Sequence, residues 1–307
     1  MNIIYLGTPQ FAVLPLEKLI NSRHKVLAVV SQPDRPKGRG YKVVSPPVID
    51  CARQHNIPVY QFENINKETQ TLLNLKPDIM VTAAYGQILY EDILNLAPYG
   101  VINIHASLLP KYRGPAPIQW AIIKGERKTG VTIMQTAQGL DTGDIILSKE
   151  IDIEPDDNAV TLAEKLSLLG AQALIEALDL IEKGQAVFTP QDNEQASYYP
   201  MLKKEMGKID WTKSAEEIDC LIRGLYNWPG TYSVLWGQKF KIIKAKVNPK
   251  EFPLKPGTIA HIDSKAIMVA CGKKSLDILT IQAPGGKAMD VADYLRGHKR
   301  YVGERFE

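Results

Sequence analysis

The chain has 307 residues, a net charge of +3 and 45% hydrophobic residues, which is an ordinary composition for a globular protein. Its length predicts two domains, and no apolar stretch approaches the ~20 residues of a membrane helix, so we expect no membrane partner. Three scattered cysteines argue against a disulfide framework or a zinc site, and the first residues show no secretory or organelle-targeting pattern, so we expect a cytoplasmic protein.

The first half of the chain alternates short apolar runs with helical patterns. The runs predicted as strands are Asn2–Gly7, 24–31, 57–61, 77–86 and Tyr99–His105. Helices are predicted between them at 11–22, 46–56 and 66–76. This alternation is typical of βαβ units and predicts an α/β fold with a doubly wound, mostly parallel sheet. Two further strands, 129–135 and 143–153, are close in sequence and are expected to join one edge as antiparallel strands.

The remainder of the chain predicts a long helix, a polar segment and a small β domain. Apolar residues recur at helical spacing over Ala159–Gly184, whereas residues 189–208 lack periodicity. Beyond them a helix begins after Ser214, with a capping-box spacing to Glu217. Five short β-like runs then predict a small barrel, at 230–236, 238–247, 257–263, 266–272 and 276–282. The predicted domains are therefore 1–189 for the α/β domain, 190–207 for a linker and 208–307 for an OB-like barrel.

Positive charge is concentrated in two places, one loop and the C-terminal third. Residues 190–307 contain 19 basic and 14 acidic residues. The basic loop, residues 31–48, has one acid and four cations: Arg35, Lys37, Arg39 and Lys42. Connections between strand and helix in α/β units are usually about 2–6 residues long, so this loop is unusually long. The charge pattern is compatible with solvated surfaces, and it is also compatible with a polyanion-binding surface that is divided between the two domains.

Two groups of polar residues are candidates for chemistry. Asn103 and His105 are two residues apart at the end of a predicted strand, so their side chains share one face, where open α/β sheets bind ligands. An amide donor beside an imidazole suits a developing oxyanion and a proton transfer. Asp141 stands between two glycines in the sequence QGLDTGD. Alternatively, the first pair satisfies loop backbone and the second group is an Asp-rich turn.

The sequences NIHASLLPKYRGPAPIQWAI and TGVTIMQTAQGLDTGDIIL resemble the formyltransferase family that uses 10-formyltetrahydrofolate. That family has Asn-x-His at a strand end, a following Ser-Leu-Leu-Pro and an Asp in a D-T-G turn. The resemblance implies a Rossmann-like catalytic domain with Asn103, His105 and Asp141 as catalytic residues. It also implies a folate pocket, and its candidate residues are Ser107, Leu108, Leu109, Pro110, Tyr85 and Gly86. Tyr85 and Gly86 are equally compatible with a structural turn.

Further motifs extend the resemblance along nearly the whole chain. GTPQFA, QPDRPKGRG, AYGQIL and KEMGKIDW are similar to the branch of the family that formylates initiator methionyl-tRNA for the start of protein synthesis. The resemblance implies tRNA and folate as partners, a C-terminal tRNA-binding domain and no metal, and we expect a monomer. We further expect the basic loop to contact the tRNA acceptor stem, with Arg39 as its deepest contact.

Other functions are compatible with the same core. A glycinamide ribonucleotide formyltransferase would end near the predicted linker, without the C-terminal domain or the basic loop. A nucleotide-sugar formyltransferase or a formyl-folate hydrolase domain could keep a similar C-terminal domain. A catalytically silent RNA-binding protein would tolerate loss of Asn103, His105 or Asp141, and all three are present.

Overall fold

The computed structural model of the protein describes residues 1–37 and 42–307. The chain divides into two compact units. Unit 1 comprises residues 1–117, 128–152 and 163–199. Unit 2 comprises residues 118–127, 153–162 and 200–307. Sequence alone predicted boundaries at 189 and 208, and these stay a prediction.

Strands and helices alternate over most of unit 1, as predicted. In chain order the strands before residue 153 are β1 (Asn2–Gly7), β2 (Lys25–Ser31), β3 (Arg35–Lys37), β4 (Lys42–Val44), β5 (Val59–Gln61), β6 (Ile79–Ala83), β7 (Val101–His105), β8 (Lys128–Gln135) and β9 (Ile145–Asp152). The α-helices up to residue 182 are α1 (Val13–Ile20), α2 (Pro47–Gln54), α3 (Thr69–Leu73), α4 (Glu91–Leu94), α5 (Pro117–Ile123) and α6 (Ala159–Glu182). Short 3-10 helices lie at Gln10–Ala12, Ile65–Lys67, Asn193–Gln195 and Lys204–Gly207.

The main sheet of unit 1 has the strand order β5-β2-β1-β6-β7-β8-β9. The five strands β5, β2, β1, β6 and β7 are parallel to one another. Strands β8 and β9 are antiparallel additions at the edge next to β7. Both the mostly parallel sheet and the antiparallel edge confirm the predictions. The central strands are almost continuously apolar and buried because helices cover both faces of such a sheet. Consequently the carboxyl ends of β1, β2, β6 and β7 meet along a single edge, which is where ligands bind in folds of this type.

The basic loop contains a two-stranded hairpin, which sequence did not predict. Strands β3 and β4 pair in antiparallel register from Arg35 opposite Val44 to Lys37 opposite Lys42. Arg35 is exposed, and its guanidinium lies 3.5 Å from the side-chain oxygen of Gln32. Residues 38–41, among them Arg39, lie outside the described part of the chain, so the structure does not bear on the expected contact of Arg39.

Unit 2 contains the predicted small β domain. Its strands are β10 (Thr231–Leu235), β11 (Gln238–Asn248), β12 (Ile259–Ile262), β13 (Ile267–Ala270), β14 (Ser275–Gln282) and β15 (Ala288–Asp290). The helices of the same stretch are α7 (Ala215–Gly224) and α8 (Val291–Gly297). The five predicted strands are confirmed, and β15 adds a sixth. The capping box of α7 is also confirmed, since Ser214 Oγ accepts from Glu217 N and the Glu217 carboxylate accepts from Ser214 N.

The last residues of the chain connect the two edges of this antiparallel sheet. The sheet runs in the order β10-β11-β14-β13-β12, so β10 and β12 are its edge strands. Glu307 exchanges two backbone hydrogen bonds with Val234 of β10, while the carbonyl of Glu304 accepts from the amide of Ile259 in β12. Phe306 lies between these contacts and is buried in the core of the domain. The C-terminal segment therefore joins both edges and gives the domain its barrel-like closure.

The longest helix, α6, does not have the character of a membrane span. Nowhere in residues 1–37 and 42–307 does a helix combine the length and the apolar composition that a membrane crossing requires.

Candidate active site

The side chain of His105 is held at the carboxyl end of β7. It is only 6% exposed, and its Nε2 lies 3.0 Å from the backbone oxygen of Tyr112. A carbonyl oxygen can only accept a hydrogen bond, so Nε2 carries a proton and donates it. The other ring nitrogen, Nδ1, is therefore the one that can gain or lose a proton during a reaction.

Asp141 faces that second nitrogen from a tight turn between β8 and β9. Its Oδ1 lies 3.6 Å from His105 Nδ1, and its Oδ2 accepts a hydrogen bond of 2.8 Å from the backbone N–H of Gly114. The backbone of Asp141 has φ of +51°, a left-handed conformation that costs energy for any residue except glycine. With Oδ2 bonded to the Gly114 amide, the turn directs Oδ1 towards the imidazole.

Asn103 is oriented by the neighbouring strand. Thr82 stands beside it in the register of β6 and β7, and Thr82 Oγ1 donates to Asn103 Oδ1 over 2.8 Å. This bond distinguishes the two ends of the amide, because it engages the oxygen and leaves the nitrogen as the donor end. Within the described residues the Asn103 side chain makes no further hydrogen bond. The strand therefore presents an oriented N–H donor two residues before His105, on the same face of the sheet.

The Ser-Leu-Leu-Pro segment follows β7 directly and is held against β8. Ser107 is buried, and its hydroxyl donates to the backbone oxygen of Lys111 over 2.7 Å. Thr132 Oγ1 donates to the Ser107 carbonyl and accepts from the Leu109 amide. The segment is thus held at Ser107 and Leu109, while its other two residues, Leu108 and Pro110, are half-buried.

Tyr85 and Gly86 lie at the carboxyl end of β6, on the same edge of the sheet. The backbone oxygen of Tyr85 accepts from Thr8 Oγ1 at 2.8 Å and from Gln32 Nε2 at 3.3 Å, which joins the ends of β1, β2 and β6. Its ring is 4% exposed and belongs to the apolar core, and burial raises the pKa of its hydroxyl well above the usual range. Gly86 has φ of +90°, which favours glycine. A structural role is evident for both residues.

Exposed cations are found on the β3–β4 hairpin of unit 1 and on a strand of unit 2, as well as elsewhere in the described part of the chain. In unit 1, Arg35 lies on the β3–β4 hairpin, and the backbones of Lys37 and Lys42 face each other across it. In unit 2, strand β11 presents a row of exposed lysines, namely Lys239, Lys241, Lys244 and Lys246. The ammonium of Lys239 lies 3.3 Å from the ring centre of Tyr232 on the neighbouring strand. A cluster of exposed lysines is an electrostatic feature typical of surfaces that bind nucleic-acid phosphates.

One group of potential metal ligands is present among the described residues, and it lies outside the site. The ligand atoms of His24, Asp179 and Glu182 are within 4.8 Å of one another. The guanidinium of Arg23 contacts both carboxylates, at 2.7 and 2.6 Å. An arginine that bonds to both carboxylates neutralises the charge a metal would need, so this group is an ion-pair cluster.

Sequence reasoning missed the residues that hold the three candidates in place. Thr82 had a usable signal, since it is a polar residue near the end of the strand that neighbours Asn103. The carbonyl of Tyr112 and the amide of Gly114 had none, because a backbone group carries no sequence signature. In Gly114, with φ of +118°, an added Cβ would lie 2.5 Å from the backbone oxygen of Tyr199. Only glycine therefore fits where its amide bonds to Asp141.

Comparisons with known proteins identify the family of the chain. A family model described as formyl transferase matches residues 1–178, and one described as formyl transferase, C-terminal domain, matches residues 201–299. The curated methionyl-tRNA formyltransferase of Acetivibrio thermocellus is 45% identical over 99% of this chain and 99% of its own length. That of Alkaliphilus oremlandii is 47% identical, over 97% of each chain.

A solved structure shares the fold at lower identity. The N-formyltransferase from Helicobacter canadensis, in complex with folinic acid and dTDP-3-aminofucose, has a TM-score of 0.69 and 20% identity, over 90% of this chain and 98% of its own. The family model covers more than half of the residues, and the relative from Acetivibrio thermocellus is 45% identical over nearly the full length. The chain therefore belongs to the formyl transferase family.

Proposed function

We propose that this protein transfers the formyl group of 10-formyltetrahydrofolate to the α-amino group of methionine on initiator methionyl-tRNA. One observation supports the chemistry above all others. The end of β7 supplies the amide of Asn103 and the imidazole of His105, and a distant turn brings the carboxylate of Asp141 to the same edge of the sheet. The choice of acceptor rests on the full-length relatives, which are named methionyl-tRNA formyltransferase.

The proposed reaction begins when the amino nitrogen of the methionyl ester attacks the formyl carbon. A C–N bond forms, and the formyl oxygen becomes an oxyanion. The amide nitrogen of Asn103 and a protonated His105 Nδ1 donate hydrogen bonds to that oxygen, which is usually the largest catalytic contribution. Because the amide is oriented by Thr82 and the imidazole by Tyr112, these donors need little reorganisation as charge develops.

Proton transfer completes the reaction. The attacking amine becomes more acidic as the new bond forms, and its proton passes to the carboxylate of Asp141, directly or through water. The tetrahedral intermediate then collapses, the bond from the formyl carbon to the folate nitrogen breaks, and that nitrogen takes up the proton that Asp141 accepted, directly or through water, which returns Asp141 to its carboxylate form. The nucleophile belongs to the substrate, so neither a serine nor a cysteine nucleophile is required, and no metal takes part in these steps.

The folate co-substrate is proposed to bind beside the Ser-Leu-Leu-Pro segment. Leu108 and Pro110 are half-buried and offer apolar surface for a flat ring, while the pinned backbone of Ser107 and Leu109 offers fixed polar groups. Apolar walls with a few placed polar groups are typical of cofactor sites. Tyr85 and Gly86 lie at the end of β6 on this edge and remain proposed neighbours of the pocket.

The tRNA is proposed to bind both basic surfaces. The β3–β4 hairpin begins three residues after Gln32, whose side chain bonds to the Tyr85 carbonyl at the same sheet edge as His105. Its four cations, Arg35, Lys37, Arg39 and Lys42, are proposed to contact the acceptor stem near the reacting end. The exposed lysines of β11 are proposed to contact tRNA phosphates. We also propose that the protein acts as a monomer, and sedimentation at working concentration tests this.

The test of the chemistry is a formylation assay with methionyl-tRNA and 10-formyltetrahydrofolate, read by mass spectrometry of the released amino acid. His105→Ala and Asp141→Asn are expected to lower turnover by about 100-fold or more, since each removes a donor or a proton acceptor. His55→Ala, at an exposed histidine, is the control and should leave turnover unchanged. Near wild-type turnover in His105→Ala would reject the site, and formylation of an amino sugar instead of methionine would reject the acceptor.

The test of the tRNA surfaces is the salt dependence of binding by the full-length chain. Arg39→Ala should reduce formylation strongly and leave folate affinity intact. Each lost phosphate contact should lower the slope of log K against log salt by about 1. Lys241→Ala and Lys246→Ala should act in the same way, whereas Lys67→Ala, an exposed cation outside both surfaces, is the control. If Arg39→Ala forms product at the wild-type rate, the hairpin does not contact the tRNA.

A further inference from the structure

Arg113 is buried by a segment that has no periodic sequence pattern. The side chain is 1% exposed, yet its hydrogen bonds go to uncharged groups of the segment 191–199. Gln191 Oε1 accepts from Nε at 3.1 Å and from Nη2 at 2.7 Å, and Nη2 also reaches Asn193 Oδ1 at 2.9 Å. The hydroxyl of Tyr198 lies 2.5 Å from Nη1. Burying a guanidinium is costly unless its donors are bonded, so segment 191–199 is fixed tightly to Arg113.

The other end of the Gln191 amide bonds to the turn that carries Asp141. Gln191 Nε2 donates to the backbone oxygen of Asp141 at 2.9 Å and to that of Gly143 at 2.7 Å. Its oxygen accepts twice and its nitrogen donates twice, so the amide uses its full bonding capacity. A carboxylate lacks the donors, and an apolar side chain lacks both. The site therefore needs a carboxamide at position 191.

The bonded turn is also the strained one. Asp141 has φ of +51°, and Gly143 is packed so closely that an added Cβ would lie 1.7 Å from the Gln135 carbonyl. A residue in such a conformation stays there only when surrounding contacts determine it. Gln191 supplies two of those contacts, from a position 50 residues beyond Asp141.

The same segment holds the other partner of the histidine. Ser197 Oγ accepts from the amide of Tyr112 at 2.9 Å, and the Ser197 carbonyl accepts from the amide of Arg113 at 2.8 Å. The amide of Tyr199 donates to the Arg113 carbonyl at 3.1 Å, and the rings of Tyr112 and Tyr199 stack 5.0 Å apart. The stretch that supplies the Tyr112 carbonyl and the Gly114 amide is therefore fixed by residues 197–199.

We propose that Gln191 is a positioning residue, which Arg113 anchors and which sets the angle of the Asp141 carboxylate towards His105 Nδ1. This inference rests on the proposed function, since it assigns Gln191 an effect that is exerted through Asp141. Misplacing a catalytic group by a fraction of an ångström slows chemistry more than it weakens substrate binding. Changes at Gln191 therefore act on kcat and leave the KM values for tRNA and folate nearly unchanged.

Two substitutions separate the anchoring end of the amide from its donating end. Gln191→Glu keeps oxygen acceptors for Arg113 but turns a carboxylate oxygen towards two carbonyls, so the Asp141 turn is displaced while the anchor survives. Gln191→Met keeps the length and removes both ends. We expect kcat to fall about 10- to 30-fold in each variant, with each KM within about twofold. Gln195→Met, at an exposed amide of the same segment, is the control and keeps wild-type kinetics.

A double-mutant cycle with Asp141→Ala shows whether the effect passes through that carboxylate. Once the carboxylate is absent its position no longer matters, so Gln191→Met should lower kcat less than about twofold in the Asp141→Ala background. An equal fold-loss in both backgrounds overturns the positioning role, as does a Gln191→Glu enzyme with wild-type kcat. If Asp141→Ala itself keeps wild-type kcat, the proposed catalytic site fails, and the role of Gln191 fails with it.

Discussion

Replacing Thr82 by valine tests whether the orientation of the Asn103 amide contributes to catalysis. Thr82 is buried in β6, and its hydroxyl donates to Asn103 Oδ1 over 2.8 Å. Valine has nearly the same shape and removes only the hydroxyl, so the strand is expected to fold as before. The amide of Asn103 then loses the bond that distinguishes its two ends, and it can present oxygen where the developing oxyanion needs an N–H donor.

The size of the effect follows from this single hydrogen bond. A buried hydrogen bond between neutral groups contributes about 1 kcal/mol net. Because the substitution also leaves the acceptor without a donor, the loss of stabilising free energy rises towards about 2 kcal/mol. Because about 1.4 kcal/mol corresponds to a tenfold change in rate, kcat should fall about 5- to 30-fold. The affinity for folate should change less, since the bond orients an amide that acts mainly in the transition state.

A single-turnover assay of formyl transfer to methionyl-tRNA measures the rate constant without product release. Thr82→Ser is the matched control, because serine keeps the hydroxyl and should retain most of the wild-type rate. Thermal unfolding of the three proteins checks that the fold is kept. A Thr82→Val enzyme with the wild-type rate constant, or a Thr82→Ser enzyme as slow as Thr82→Val, would refute the reasoning.

Three further predictions concern stability. Gly114→Ala should lower the free energy of unfolding by about 1–3 kcal/mol or more, because φ is +118° and the new Cβ would clash with a backbone carbonyl. Gly184→Ala is the control in the same urea titration and should lower the free energy of unfolding less, since φ is +66° and the surrounding space is open. Burial lowers the pKa of His24 from 6.5, so the unfolded chain binds the extra proton as pH falls below that value, and stability should decline with falling pH. Urea titrations between about pH 7.5 and 5.5 should show a shallower decline for His24→Gln, and equal slopes would contradict the assignment. Ser214→Ala should cost about 1 kcal/mol by removing the cap of α7, and an unchanged urea midpoint would argue against it.

The parts of the fold that sequence predicted well depend on residues close together in the chain. The apolar runs of β1 and β2, the long helix α6 and the capping box at Ser214 are encoded within a few neighbouring positions. The antiparallel edge formed by β8 and β9 also follows from their short connection. The hairpin β3–β4 was missed because Arg, Pro and Lys do not form an apolar alternation, and its pairing involves backbone groups.

The candidate site shows the same division. Asn103 and His105 were predicted to share a face because strand residues alternate with a period of two, and the D-T-G turn pointed to Asp141. The distance from Asp141 to His105, the partner of the Asn103 amide and the carbonyl on Nε2 were not predictable in this way. Each depends on backbone groups or on the register of separate strands, and these leave no mark on local composition.

By itself the amino-acid sequence determined the alternating α/β core, the small β domain and which polar residues end a strand, because periodicity and turn chemistry are local properties of the chain. Only the tertiary structure decided that Gln191, in a stretch without pattern, bonds to the turn of Asp141, and that the last residues join both edges of the β domain. These hydrogen bonds join residues 50 or more positions apart in the chain. They form only after packing has aligned the backbone of separate segments, so the local sequence around a single polar residue does not reveal its partner.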